Sequence, residues 1–411
     1  MTDIAFQSDV TFTAIEGGIT APHGFRAAGV ACGIKASGNL DLSLLVSDAT
    51  ASAAGVFTTN LAKAAPVLLS RDHLAQSGGR GRAVVINSGC ANACTGADGR
   101  DHARVMAERT AAAVGCDPSA VLVASTGVIG VKLPIDKVER GIADAAARLS
   151  ATSGAAAARA IMTTDPFPKE AAVEASAGGR TFRVGGMAKG SGMIEPLMAT
   201  MLAVVTTDAS VAPALLQRAL KAAADETFNA ITVDGECSTN DCVFVLANGA
   251  SGVELTERDW PLLVAGLTAA CEPLAIGIVR GGEGATKLIT VRVTGAESDA
   301  DARRTARAIA NSPLVKTAVH GGDPNWGRLI AVAGRSGSAF TLENAVVRIG
   351  PVTLFADGTP YDDRAPEAAE YLQGKEVDLE VDLGSGGQGT SRMWTCDLSA
   401  EYVRINADYR T

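Results

Sequence analysis

Short apolar runs separated by clusters of Gly, Asn and Ser set the pattern of the first third of the chain. Leu42 to Val46, Ala83 to Ile86 and Val121 to Ala124 have the length and the bounding turn residues of buried strands. His102 to Val114 and Pro134 to Leu149 are rich in alanine and predict helices. Ser150 to Ala158, small and polar, suits either a surface loop or a continuation of helix. Thr181 to Val184 predicts a strand that runs into a glycine-dense loop from Gly185 to Gly192, and Met198 to Val205 predicts an apolar strand after it.

Further along, Ala209 to Ala224 has helical periodicity, with Asp208 placed to cap it. Ile231 to Val233 and Val243 to Ala247 predict strands around the polar loop from Asp234 to Asp241. Trp260 to Cys271 predicts a helix that stops before Pro273, because the residue ahead of a proline disfavours the helical region. Lys287 to Val293 alternates like a strand, and Asp301 to Ala310 predicts a helix that ends before Pro313. Helices and strands thus recur in mixed order without an internal repeat, so the expected class is mixed α/β.

Composition narrows the functions. Lys and Arg number 36 against 45 Asp and Glu, a formal charge of −9, with no basic run and only 4% aromatic residues. Phosphate neutralisation and base stacking both lack their residues, which argues against nucleic acid as a partner. At 47% apolar and 20% charged, the chain can bury a large core. Its 411 residues suggest two or three structural units at about 150 residues each. The first residues, Met1 to Phe12, carry acidic groups and no signal-like apolar run, and no apolar stretch approaches the roughly 18 residues that cross a bilayer. A cytoplasmic protein with no membrane partner is the expectation, its eight scattered cysteines kept as thiols.

Familiar catalytic motifs are missing. The glycine loop Gly281 to Lys287 lacks the spacing of a phosphate-binding loop, and there is no G-x-S-x-G elbow. Four separated histidines and unpaired cysteine spacings (Cys90 with Cys94, Cys237 with Cys242) give no metal-site signature. Three hydroxyl-bearing segments remain. In the first, the glycine loop at Lys189-Gly190-Ser191-Gly192 leads to Ala199-Thr200 inside an apolar strand. Thr200 reads either as an ordinary β-branched strand residue or as a self-cleaving nucleophile whose freed α-amine, of ordinary pKa about 7.7 to 8, becomes its own base. In the second, Thr126 and Gly127 follow an apolar strand, where a hydroxyl and a glycine N–H can stabilise an oxyanion or simply make a turn. The third, Thr163-Thr164-Asp165-Pro166, by itself reads as a helix end or turn.

Taken in order, Asn87 to Gly96, Ser125 to Gly130, Ile161 to Asp165, Gly186 to Met193, Met198 to Leu202, Cys237 to Asp241, Leu314 to Ala318 and Asp323 to Arg328 resemble the ornithine acetyltransferase (glutamate N-acetyltransferase) family of arginine biosynthesis, from about Gly18 to Thr411. The resemblance implies autoproteolysis between Ala199 and Thr200, giving an α chain of residues 1–199 and a β chain of residues 200–411 around one site. It implies a ping-pong transfer of acetyl from N-acetyl-L-ornithine to L-glutamate through acetyl-Thr200, with Thr126 and Gly127 as the oxyanion hole. Thr163, Lys189, Thr200, Glu283, Asn406 and Thr411 are carried over as substrate contacts. It further implies a two-lobed arrangement of sheets and helices of the amino-terminal-nucleophile-like type with the site between lobes, and an assembly of two α and two β chains. No cofactor is implied, with acetyl-CoA as the second acetyl donor only in the bifunctional members; the sequence leaves that division open. Cys90 departs from the residue usual in the family. The alternatives are a self-processed amidase or aminopeptidase using the same Thr200, and an uncleaved amino-acid-binding protein.

Overall fold

The computed structural model describes residues 10–177, 179–195 and 201–408. The chain forms two compact units, one from Met1–Asn229 and Glu236–Ile278, the other from Ala230–Gly235 and Val279–Arg410. The first unit therefore takes chain from both sides of residue 200.

The first unit contains strands β1 (Thr11–Ala14), β2 (Phe25–Val30), β3 (Leu42–Phe57), β4 (Arg80–Cys90), β5 (Val121–Val128), β6 (Lys169–Ala177), β7 (Arg180–Lys189) and β8 (Leu202–Thr207). The short strands β9 (Ser210–Val211) and β11 (Glu254–Leu255) pair with each other, and β10 (Cys242–Ala247) joins the main sheet. Its helices are α1 (Ala65–Gln76), α2 (Gly96–Val114), α3 (Ile135–Ala147), α4 (Gly154–Ala160), α5 (Pro213–Glu226) and α6 (Trp260–Arg280), whose last two residues belong to the second unit. The main sheet runs in the order β1-β6-β7-β8-β10-β3-β4-β5, with β2 beside β3.

Strands at the centre of this sheet are buried on both faces. Val84, Ile86 and Leu122 point into one apolar cluster with Phe25, Val204 and Phe244, while Val85, Val121 and Val123 point into another with Met106, Val138 and Ile142 of the helices. That is why these segments read as unbroken apolar runs rather than alternating ones. The β3 strand extends well beyond the predicted Leu42 to Val46. A register shift between Val46 and Ala51 separates its two halves, and the second half is built of small buried residues whose apolar signal is weak. Gln217 of α5 exchanges hydrogen bonds with the backbone of Gly55 there, at 3.2 and 3.1 Å.

Several expectations are corrected. Gly185 to Lys189 belong to β7 rather than to a loop, since a Cβ on Gly185 would lie 2.1 Å from the Gly18 carbonyl and these glycines serve close packing. Ser125 to Gly127 lie within β5 instead of past it. Asp208 does not cap α5, which starts on Ala212 and Pro213; its buried carboxylate accepts the His23 N–H at 3.1 Å and the Arg183 N–H at 2.7 Å. Residues 154–160 form the separate helix α4. Ile231 to Val233 form no strand and make only a bridge from Ile231 to Trp394. α6 continues through Pro273, which stands on its exposed side while Leu274, Ala275 and Ile278 keep the following turns buried. An 18-residue window within the resulting stretch Glu257–Arg280 has mean hydropathy 2.0, long and apolar enough to cross a membrane, contrary to the expectation; 56% of that window is buried inside the protein, as in a core helix.

The second unit contains β12 (Leu288–Ala296), β13 (Val346–Ile349), β14 (Val352–Ala356), β15 (Thr359–Pro360), β16 (Glu376–Asp382) and β17 (Gly389–Cys396), ordered β15-β14-β13-β16-β12-β17. Its helices are α7 (Asp299–Ala310), α8 (Pro313–Gly321), α9 (Trp326–Gly334), α10 (Ala365–Tyr371) and α11 (Ala400–Asp408). Alternation in β12 sends Ile289, Val291 and Val293 against Ala302, Ala306 and Ile309 of α7. Ser298 caps α7 by accepting the Asp301 N–H.

Candidate active site

The ends of β4 and β5 build one corner of the site. The two strands are parallel, with Ser88 opposite Thr126 and Gly89 opposite Gly127, and the register breaks at Cys90. Gly127 has φ +128° and a Cβ on it would lie 2.3 Å from the Gly89 carbonyl carbon, so the bulge needs glycine. Side chains lock this corner. The Ser125 hydroxyl donates to Asn87 Oδ1 at 2.6 Å, and Asn87 Nδ2 donates to the Cys90 carbonyl at 2.8 Å. Asn240 Nδ2 donates to the Ala91 and Ser125 carbonyls at 2.6 and 2.8 Å. Cys90 is a buried thiol that donates to the Val131 carbonyl at 3.3 Å, and burial raises its pKa. All eight cysteines are free.

Lys189, at the end of β7, is 8% exposed and donates to Thr126 Oγ1 at 3.2 Å. A hydroxyl that accepts from an ammonium keeps its own proton to give elsewhere, which suits Thr126 as an oxyanion donor. Asp165 organises the adjoining backbone. Its Oδ2 accepts the Thr163 N–H at 3.0 Å, and its Oδ1 accepts the Gly190 N–H at 2.7 Å and Lys169 Nζ at 2.5 Å. Burial pushes this carboxyl up, but Lys189, Lys169 and the hydrogen bonds outweigh it and hold the pKa at about 2. The Thr164 and Ser191 hydroxyls add a bond of 2.6 Å. The Thr163-Thr164-Asp165 turn and the residues after β7 are therefore tied together, a contact across some 25 residues that spacing did not reveal.

Glu283 and Asn406 meet in the second unit, where Asn406 Nδ2 donates to Glu283 Oε2 at 2.9 Å. The loop carrying Glu283 is held at both sides. Gly284 sits so close to α11 that a Cβ would lie 2.4 Å from the Tyr402 nitrogen, and Ser399 Oγ donates to its carbonyl at 2.6 Å. The Thr286 and Lys287 N–H groups donate to Asp397 at 2.7 and 2.8 Å. Of the residues expected at the site, Thr126, Gly127, Thr163 and Lys189 are thus gathered in the first unit, and Glu283 and Asn406 in the second. Ala199, Thr200 and Thr411 lie outside the described residues.

The segments 314–318 and 323–328 have structural roles. Lys316 is buried and donates to the Val233 carbonyl and to Thr395 Oγ1, and Asn325 caps α9 while Arg328 donates to the Leu314 carbonyl at 2.6 Å. Among the described residues, no group of three or more His, Cys, Asp or Glu side chains is arranged to hold a metal ion.

A layered α/β protein that sets a buried lysine–threonine pair beside a glycine bulge holds the kind of donors that acyl-transfer chemistry uses. The ArgJ family model matches residues 26–411. The chain is 51% identical over 410 residues to the arginine biosynthesis bifunctional protein ArgJ of Synechococcus sp., covering 97% of this chain and 98% of that one. It is 50% identical over 402 residues to the protein of the same name from Symbiobacterium thermophilum, covering 97% and 99%. Among solved structures, ArgJ of Bacillus halodurans aligns with a TM-score of 0.48 at 47% identity, over 50% of this chain and 98% of that chain. Ornithine acetyltransferase of Mycobacterium tuberculosis, solved with ornithine, aligns with a TM-score of 0.43 at 47% identity, over 46% and 100%. The chain belongs to the ArgJ family.

Proposed function

We propose that this protein moves acetyl from N-acetyl-L-ornithine to L-glutamate through an acetyl ester on Thr200. The observation that carries the reading is the bond of 3.2 Å from buried Lys189 to Thr126, beside the glycine bulge at Gly127. Membership of the ArgJ family and the relatives' name as bifunctional arginine biosynthesis proteins support it, and acetyl-CoA as a second acetyl donor is part of the same proposal.

Maturation comes first. Thr200 Oγ attacks the Ala199 carbonyl, its proton passes to the departing nitrogen, and water hydrolyses the ester to leave residues 1–199 and 200–411 as two chains. The new α-amine then takes the Thr200 hydroxyl proton as Oγ attacks the acetyl carbonyl of N-acetyl-L-ornithine. Thr126 and Gly127 stabilise the oxyanion, and the ornithine amine leaves with the proton. Glutamate repeats the sequence in reverse. Lys189 offers charge to the substrate carboxylate, Glu283 holds the ornithine δ-ammonium, Asn406 with Thr411 hydrogen-bonds the backbone-like end, and Thr163 is a further substrate contact. A cytoplasmic assembly of two α and two β chains belongs to the same reading.

The test is intact-mass spectrometry before and after N-acetyl-L-ornithine is added without glutamate. Two chains divided before Thr200, with one acetyl gained on the second and lost when glutamate is supplied, are expected. A single chain with no adduct overturns the reading, and loss of the acetyl to water as fast as to glutamate converts it to an amidase.

A further inference from the structure

β8 and β10 run parallel, with Leu202 opposite Cys242, and the Cys242 N–H donates to the Met201 carbonyl at 3.1 Å. This register sets Asp241 beside Met201, the residue that follows Thr200. The Met201 N–H and the hydroxyl and N–H of Ser238 lie close enough to the Asp241 carboxyl to favour its charged form. Ser238 is itself fixed, its Oγ accepting the Asn240 N–H at 3.1 Å, and the Asp241 carbonyl accepts the Thr58 N–H at 2.9 Å. Asp241 is only 3% exposed, yet its Oδ2 has no hydrogen-bond partner among the described residues. Native structures leave few buried polar atoms unpaired, and those they do leave call for an explanation.

Asp165 is the useful contrast. It is as deeply buried, but every part of its carboxyl is engaged and a lysine contacts it directly. Asp241 has no such ion pair; burial pushes its pKa well above the carboxylate range, against the weaker pull of the Ser238 bonds and of Lys189.

We infer that Asp241 is a positioning residue for the residue-200 nucleophile, its carboxyl fixing the Met201 N–H and with it the peptide that enters β8. The inference rests on the Thr200 reading above. Successive Cα atoms are only about 3.8 Å apart, so an anchor on the Met201 nitrogen constrains the chain where it enters β8. Displacement of a nucleophile by about 1 Å lowers rates by about a hundredfold while leaving substrate contacts elsewhere intact.

The experiment uses the full chain carrying Asp241→Ala, Asp241→Asn or Ser238→Ala. It records the rate of chain cleavage, the single-turnover acetylation of residue 200 by N-acetyl-L-ornithine, and kcat and KM with glutamate. Asp241→Ala is expected to slow cleavage and acetylation by about tenfold or more with KM within about twofold of the parent. Asp241→Asn keeps an acceptor for the Met201 N–H and a donor on the other side, and should recover to within about threefold. An unaffected Asp241→Ala variant, or an Asn variant as slow as the Ala variant, overturns the positioning role. If Asp241→Ala does not fold, Ser238→Ala decides: a loss of about threefold in kcat at constant KM supports the role, and an unchanged kcat overturns it. The parent enzyme separates the two claims. Without an acetyl adduct at residue 200, the nucleophile assignment and the role of Asp241 fall together; with the adduct and an unaffected Asp241→Ala, only Asp241 falls.

Discussion

The two units bury polarity in different ways. In the second, the β12–β17 sheet and its helices enclose an apolar layer of Ile289, Val291, Val293, Ile309 and Leu379, and the buried ionic groups Lys316 and Asp397 bind loop backbone and neighbouring side chains at its margin. In the first, a sheet that is apolar on both faces has Asp165, Lys169, Lys189 and Asp241 buried at the ends of its strands. Buried charges are costly unless they are paired and hydrogen-bonded, as Asp165 and Lys169 are. The difference also runs between single residues: Asp165 and Asp241 are both buried, and Lys189 and Lys169 with their hydrogen bonds turn the first carboxyl's pKa downward while burial drives the second's up.

The sharpest way to break this comparison is Lys189→Met, which keeps the volume and removes the charge. Activity should fall by about a hundredfold to a thousandfold, because the group that orients the Thr126 hydroxyl and meets the substrate carboxylate is gone, while the melting temperature changes little. A large fall in stability with activity retained would make Lys189 a packing residue. Ile309→Ala is its mirror image in the second unit: about 2 to 5 kcal/mol of stability lost in denaturant titration, with kcat of the folded enzyme unchanged.

Asp165→Asn sharpens the contrast through pH. The folded pKa of about 2 lies below the ordinary 3.8, so the ionised form contributes stability that is complete above about pH 4 and is lost as pH falls toward 2. The contribution is about 2 kcal/mol, and the Asn variant should melt with a flatter pH dependence across that interval. The smallest effect is expected for Glu283→Gln. Replacing the charge opposite the substrate ammonium should raise KM for N-acetyl-L-ornithine about tenfold with kcat nearly constant, measured by initial rates.

The fold was most legible where burial is two-sided and side chains are large, as at Val84 to Ile86 and Val121 to Val123. It was hidden where small residues do the packing: Ala51 to Gly55 lack the apolar bulk that announces a strand, and Gly185 and Gly186 look like loop residues although they let other segments approach β7. Pro273 misled because a proline on the outer side of a helix is tolerated when the following turns remain buried. At the site, Thr126 and Gly127 stand out as a hydroxyl and a glycine after an apolar strand, whereas Thr163, Lys189, Glu283 and Asn406 come only with the family resemblance. The residues that hold them are not singled out. Asp165 and Asn240 appear only as letters within motifs, since Gly190, Ala91 and Ser125, which they bind, lie far away along the chain.

The order of strands in the first unit gives the proposed cut an unusual meaning. β8 and β10, which follow residue 200, stand in the middle of the sheet, flanked on one side by β1, β6 and β7 and on the other by β3, β4 and β5, all of which precede it. Lys189 pairs with Leu202 across one of these seams, and Phe57 pairs with Cys242 across the other. A break before Thr200 would leave two polypeptides woven through a single hydrogen-bonded ladder. Parting them would then be the same event as unfolding, so exchange of fragments between molecules would follow the clock of global denaturation, independent of dilution.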